Sequence, residues 1–173
     1  TPHGLMDVMG LRSAEIDGLY DGEVNSGVPV EGNPLDMTHP YACSHLCDLV
    51  RLSTAEAILV YGSDFYKGLP ALTQNKFGKG QAYYICADFA QDFYDDFYRK
   101  IVNEAGIELP VEKIPAGVEV TRRASKEAEY LFVQNFNREP VSMELPIGEY
   151  QLLLGDYDGS VARFGTVVLK KRL

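Results

Sequence analysis

Tryptophan is absent from the 173 residues, and cysteine occurs only three times. Without indole rings, any flat apolar platform must come from the 11 tyrosines and 8 phenylalanines. Three cysteines cannot all pair, and two of them, Cys43 and Cys47, lie close in sequence. A disulfide framework is therefore not expected, and a reducing, cytoplasmic compartment fits. Long apolar runs are missing too. The best, Ala57 to Tyr61 and Gln151 to Leu154 with its flanks, fall far short of the roughly 20 residues that cross a bilayer as a helix. No secretory leader pattern is visible, and no membrane partner is expected. The chain opens on Thr1 rather than Met, which leads us to expect a piece of a longer protein.

Basic clusters are also scarce. Lys170-Lys171-Arg172 is the largest, and net charge is −9. Residues 1–115 hold 17 acidic against 8 basic side chains, whereas residues 116–173 hold 8 of each. An acidic surface repels phosphate backbones, so nucleic acid is an improbable partner.

What is present is enough for a core: 46% of residues are hydrophobic. Residues 1–40 are rich in Gly, Pro and Asp. They read as one apolar turn (Leu5, Met6, Met9, Leu11) followed by loop over Gly22 to Pro34. Ala42 to Val50 fits strand or helix. Glu56 to Tyr61 reads as a buried strand, broken by Gly62-Ser63-Asp64. Ala71 to Phe77 and Gln81 to Ala87 flank Gly78-Lys79-Gly80 as a hairpin would. Phe93, Phe97, Ile101 and Ala105 recur every four residues beside Tyr94, Tyr98 and Val102, the stripe of an amphipathic helix. Asp92 is its expected N-cap and Gly106 its expected C-terminal stop. Phe97 and Ile101, at the centre of the stripe, are expected to be buried.

Pro110 and Pro115 and the change in charge balance suggest a boundary near residue 112. After it come short strand candidates at Val118–Arg123, Tyr130–Phe136, Val141–Leu145, Tyr150–Leu154, Val161–Phe164 and Thr166–Lys170. Such spacing predicts a small all-β antiparallel sandwich or barrel.

Little in the chain has the pattern of chemistry. Asp95 and Asp96 are adjacent on a helix, so they diverge by about 100° and cannot flank a substrate. Cys43, His45 and Cys47 alternate, and a straight strand would put all three on one face, a weak metal candidate lacking a fourth ligand. Buried cysteines with a satisfied histidine are the more ordinary outcome. Asp156-x-Asp158-Gly159 lacks the distal ligands of a calcium loop. Ser63 lacks the second glycine of a nucleophile elbow, and Gly78-Lys79-Gly80 is too short to cradle phosphate. No catalytic residue, metal or cofactor is expected from these residues.

A specific resemblance enters between Leu46 and Ile85. Tyr61-Gly62-Ser63-Asp64-Phe65-Tyr66, Gly68-Leu69-Pro70-Ala71, Asn75 to Gly80 and Tyr83-Tyr84 resemble the middle, trimerisation domain of family 42 β-galactosidases. Asp95 to Tyr98 continues the likeness. Gly117 to Arg123 and Tyr130 to Asn135 resemble the small C-terminal β-domain of the same family. The resemblance implies a fragment of an α/β fold like class I glutamine amidotransferases over residues 1–111, then the β-domain over residues 112–173. It implies a parent enzyme, a bacterial retaining glycosidase, with a separate catalytic (β/α)8 barrel and a homotrimeric assembly. Catalysis would then lie outside this chain, and these residues would support and assemble it. Tyr61, Asp64, Phe65 and Tyr66 are the candidates for a subunit or inter-domain contact, with Phe65 and Tyr66 following a strand end. Two alternatives stand beside this. One is a carbohydrate-binding module using Tyr150, Tyr157 and Phe164. The other is an independent amidotransferase-like enzyme.

Overall fold

A computed structural model describes residues 3–173. It divides into two compact units, Thr1–Gly106 and Ile107–Leu173.

In the first unit a four-residue helix α1 (Met6–Met9) leads into seven strands. These are β1 (Leu11–Gly18), β2 (Asn25–Pro29), β3 (Tyr41–Leu52), β4 (Glu56–Tyr61), β5 (Pro70–Phe77), β6 (Gly80–Ile85) and β7 (Ala87–Phe89). Helix α2 (Gln91–Glu104) follows. Every ladder is antiparallel. β2 joins β3 to β4, β4 pairs with β5, and β5 pairs with β6. Only Cys86 separates β6 from β7, and β7 returns to pair with β3. The ring of pairings therefore closes on β3. β1 is added along the second half of β3, from Leu11↔Leu52 to Gly18↔Leu46.

This overturns the α/β, amidotransferase-like expectation. That architecture needs parallel strands joined by crossover helices. Among the described residues, α2 is the only helix longer than one turn, and it follows the last strand of its unit. The error has a physical source. An apolar run such as Ala57-Ile58-Leu59-Val60 looks the same in the middle of a parallel sheet as in a ring of strands whose interior is packed.

Residues 22–34 are not simply loop either, since they contain β2. Gly27 makes that possible. A Cβ there would lie 2.8 Å from the Phe89 ring, so only glycine lets this strand approach its neighbours. The core gathers Leu11, Tyr41, Ile58, Leu59, Tyr61, Leu72, Phe89 and Phe93. α2 lays Phe93 and Phe97 into it, and Ile101 packs against its margin half-buried. The helix begins at Ala90, which caps it without a side-chain bond, so Asp92 lies inside the first turn rather than at the cap. Gly106 takes a positive φ of 63°, ending the helix.

The second unit is antiparallel too. β8 (Val118–Ala124), β9 (Ala128–Asn135), β11 (Gln151–Leu154) and β13 (Thr166–Arg172) form one sheet in the order β11-β13-β9-β8. β10 (Val141–Ser142) pairs with β12 (Ser160–Val161) in a second, two-stranded sheet. Leu131, Val133, Met143, Val161, Val167 and Leu169 form the core of this unit.

Candidate functional site

The end of β4 and the loop that leads from it to β5 hold the four residues singled out from the sequence, Tyr61 closing the strand and Asp64, Phe65 and Tyr66 in the loop. Its ends are tied to each other. The Tyr61 N–H donates to the Leu69 carbonyl, and the Gly68 N–H donates to the Tyr61 carbonyl, both at 2.8 Å. Gly68 accepts this closure at a φ of 87°, where a side chain would be strained. A second clamp comes from β2. Asn25, 4% exposed, donates from Nδ2 to the Ser63 carbonyl at 3.2 Å. Its Oδ1 accepts from the Ser63 N–H at 3.1 Å and the Ser63 hydroxyl at 2.8 Å. Nothing in the sequence singles out Asn25, because both partners of this clamp are remote from each other in the chain.

Within this frame the four side chains diverge. Tyr61 and Tyr66 turn inward, both 1% exposed, with their rings edge to face at 5.0 Å. The Tyr61 hydroxyl donates to the Cys86 carbonyl at 2.8 Å. The Tyr66 hydroxyl is buried with no hydrogen-bond partner among the described residues. Asp64 adopts a φ of 72°, and its carboxylate accepts the Phe65 N–H at 2.7 Å. That local turn swings Phe65 outward, where it is 75% exposed while its ring edge rests against Tyr66. The segment entering Asn25 also carries exposed apolar side chains, Tyr20 and Val24. The loop is thus rigid underneath and apolar on top.

The metal candidate comes apart. Cys43 and Cys47 are buried, but His45 is exposed at a φ of 59°, and the β3–β7 ladder slips between Ser44 and Cys47. The slip breaks the alternation that would have aligned the three residues. His45 Nδ1 instead lies 2.9 Å from an Asp88 carboxylate oxygen, at the surface. Cys43, Cys47 and Cys86 all join the hydrophobic core as free thiols. Burial pushes the Cys43 thiol up to about 12, with the neighbouring Cys47 adding to it. Burial and the nearby Asp48 raise Cys86 as well.

Two consequences follow. In the folded chain a thiol reagent at neutral pH should modify almost no cysteine in minutes, and all three after denaturation. Rapid native labelling would show that the core opens. The raised Cys43 pKa also stabilises the fold below its ordinary 9.0. That contribution fades as pH rises from there toward about 12, because the unfolded chain then releases the proton first.

One polar cluster was not visible in the sequence. Asp48, 5% exposed, accepts from the Ser13 and Tyr84 hydroxyls at 2.6 Å each. These bonds tie β1, β3 and β6 together, and with no nucleophile–base pair among them the cluster is structural. Asp95 and Asp96 are engaged locally. Asp95 accepts from Gln91 at 3.0 Å, and Asp96 from Tyr41 at 2.9 Å and Arg99 at 3.2 Å. In the second unit Tyr157 packs on the core and donates to the Met143 carbonyl at 2.6 Å. Tyr150 packs there too and donates to Glu129. Only Phe164 of that proposed sugar platform is exposed.

Comparison with known proteins gives a consistent picture. Residues 1–108 match the family described as the β-galactosidase trimerisation domain. Residues 117–171 match the β-galactosidase C-terminal domain. β-Galactosidase BgaA of Planococcus sp. (strain 'SOS Orange') is 42% identical over 171 residues, covering 99% of this chain and 24% of the relative. β-Galactosidase BglY of Alicyclobacillus acidocaldarius is 38% identical over 98% of this chain and 25% of its own length. The crystal structure of the Rahnella sp. R3 β-galactosidase superimposes with a TM-score of 0.82 at 37% identity, covering 98% of this chain and 25% of that one. The β-galactosidase of Bacillus circulans sp. alkalophilus gives 0.79 at 34% identity, covering 96% of this chain and 25% of that one. The chain spans about a quarter of the length of these relatives.

Proposed function

The chain belongs to the family 42 β-galactosidases, and from that membership we propose that it is the non-catalytic assembly and support portion of an enzyme hydrolysing terminal β-D-galactosyl residues. Its partners are the catalytic (β/α)8 barrel of the same polypeptide and two further copies in a homotrimer. Three quarters of a relative's length leaves ample room for such a barrel, which takes about 250 residues. The functional division falls at residues 1–111, which assemble, and 112–173, which support. The parent works in the bacterial cytoplasm, and the portion described needs no cofactor.

The observation that carries this reading is the clamped β4–β5 loop, with Phe65 held 75% exposed above a buried Tyr66. A rigid aromatic that loses little freedom on docking is what an interface anchor requires. Tyr61, Asp64 and Tyr66 act beneath it, fixing its direction. Changing Phe65 to Asp in the full-length parent should weaken each subunit contact by on the order of 2–4 kcal/mol, the range for a hot-spot side chain. Sedimentation at micromolar concentration should then show monomers in place of trimers, with the melting of each subunit otherwise little changed. A parent that stays trimeric refutes the assignment.

A further inference from the structure

The slip in the β3–β7 ladder does more than turn His45 away. Cys43 stands opposite Phe89, Ser44 opposite Asp88, and Cys47 opposite Ala87. His45 and Leu46 are therefore extra on β3 at this point. Phe89 and Ala87 are both buried, with the exposed Asp88 between them. Cys43 and Cys47 take the same spacing on the same side, and both are buried. Four residues of a straight strand would separate their Cα atoms by about 13 Å, whereas two residues of β7 span only roughly 6.5–7 Å. A disulfide joins Cα atoms about 4.4–6.8 Å apart. The two thiols are neighbours, since Cys47 helps to push the Cys43 thiol up. β1 holds the slip from its other side. Gly18 pairs with Leu46 and Asp17 with Cys47, and the Leu19 N–H donates to the His45 carbonyl at 3.0 Å. The third thiol is aimed elsewhere, with Cys86 Sγ donating to the Tyr84 carbonyl at 3.8 Å.

We propose that Cys43 and Cys47 form a reversible oxidation site, a dithiol that a hydroperoxide closes into a disulfide across the slip. One thiolate attacks the hydroperoxide and its O–O bond breaks. The sulfur keeps one oxygen as a sulfenic acid, and the other oxygen leaves as an alcohol, or as water from hydrogen peroxide. The second thiolate attacks that sulfur, forms the S–S bond and expels water. The dithiol loses two electrons, the peroxide gains the same two, and both thiol protons leave on the released oxygens. A dithiol reductant reverses the closure. Access lies through β7, a strand of three residues whose short ladder opens more readily than the core behind it. Closure is therefore slow in the intact fold, in keeping with the shielded thiols. Once made, the bond holds the slip in register whether or not β7 is paired.

The test exposes the reduced full-length parent to hydrogen peroxide at about pH 8, where thiolate begins to form. The protein is then unfolded, its remaining thiols are alkylated, and it is cut with trypsin. Cys43 and Cys47 fall together in the fragment Ser13–Arg51, and Cys86 falls in Gly80–Arg99. The first fragment should emerge lighter by two hydrogens and without alkyl groups, and reduction should restore both sites. Cys86 should be alkylated. Urea below the unfolding midpoint should speed closure at least about tenfold, by opening β7. The oxidised parent should melt a few degrees above the reduced one, because a disulfide that fits the fold restricts the unfolded chain. Cys47→Ser should remove both the closure and the rise in melting. A link between Ser13–Arg51 and Gly80–Arg99 overturns the proposal, as do sulfinic acids in place of the disulfide. So does a first fragment that stays fully alkylated, or closure no faster in urea. An oxidised parent that melts at or below the reduced one also overturns it, since the slip would then not fit the bond.

Discussion

Replacing Phe93 by alanine should destabilise the first unit by about 3–5 kcal/mol, the range for truncating a buried aromatic. Phe93 is fully buried at 0% exposure. Its ring stacks on Phe89 at 4.2 Å and on Phe97 at 5.5 Å, and meets Tyr41 edge to face at 5.5 Å. It joins α2 to the strands on both sides of the closing seam, since Tyr41 begins β3 and Phe89 ends β7. Two of these rings are held from elsewhere, Tyr41 by its hydroxyl bond to Asp96 and Phe97 by its edge contact with Tyr83, so they cannot simply move in to fill the space. Urea unfolding followed by tyrosine fluorescence or near-ultraviolet circular dichroism gives the number, as no tryptophan is present. Tyr98→Ala, on the same helix but 54% exposed, should stay within about 0.5 kcal/mol. A loss under about 1 kcal/mol for Phe93→Ala would mean that α2 does not seal this core.

In the second unit the largest expected effect belongs to Asn135. It is 2% exposed. Its Nδ2 donates to the carbonyls of Glu139, Val161 and Ala162 at 2.9–3.1 Å. Its Oδ1 accepts from the Asn137 N–H and side-chain amide, both at 2.9 Å. One side chain thus fastens the end of β9 to the turn after it and to β12. Asn135→Ala should cost roughly 2–4 kcal/mol, since several buried carbonyls lose their donor together. Asn135→Asp should be worse than alanine at neutral pH, because it turns a carboxylate oxygen toward those same carbonyls. Denaturant unfolding of the three proteins ranks them. An aspartate variant as stable as the wild type would rule out the amide as the fastener.

Both residues lie in stretches whose local structure was readable. The hairpin at Gly78 to Gly80 and the strand Glu56 to Tyr61 follow from short apolar runs with turn residues between them. The stripe of α2 follows from four-residue spacing. What the sequence hides is which distant segments pair in the first unit. β2 reads as loop because Asn25-Ser26-Gly27-Val28-Pro29 has a poor strand composition, and only its place between β3 and β4 makes it one. The architecture was misread because burial on both faces of a strand does not reveal whether its neighbours run parallel. The Cys43, His45, Cys47 pattern assumed a straight strand, and a slip in the ladder turned the histidine away. At the β4–β5 loop the sequence located the aromatic pair, but adjacent residues there point in opposite directions. Only the Asn25 clamp and the positive φ of Asp64 decide that Phe65 is the one displayed.

β3 carries a burden in time as well as in space. It pairs with β1 and β2, made before it, and with β7, made well after it. On a ribosome working at roughly 5–20 residues per second, Cys43 waits seconds for Phe89 to appear. Until then the ring stands open along the Cys43 to Cys47 stretch of β3, whose partner is β7. Such long-range closure places folding in the millisecond-to-second range rather than the microsecond one. The first unit is therefore most exposed to misassembly during synthesis, before α2 exists to close over Phe89.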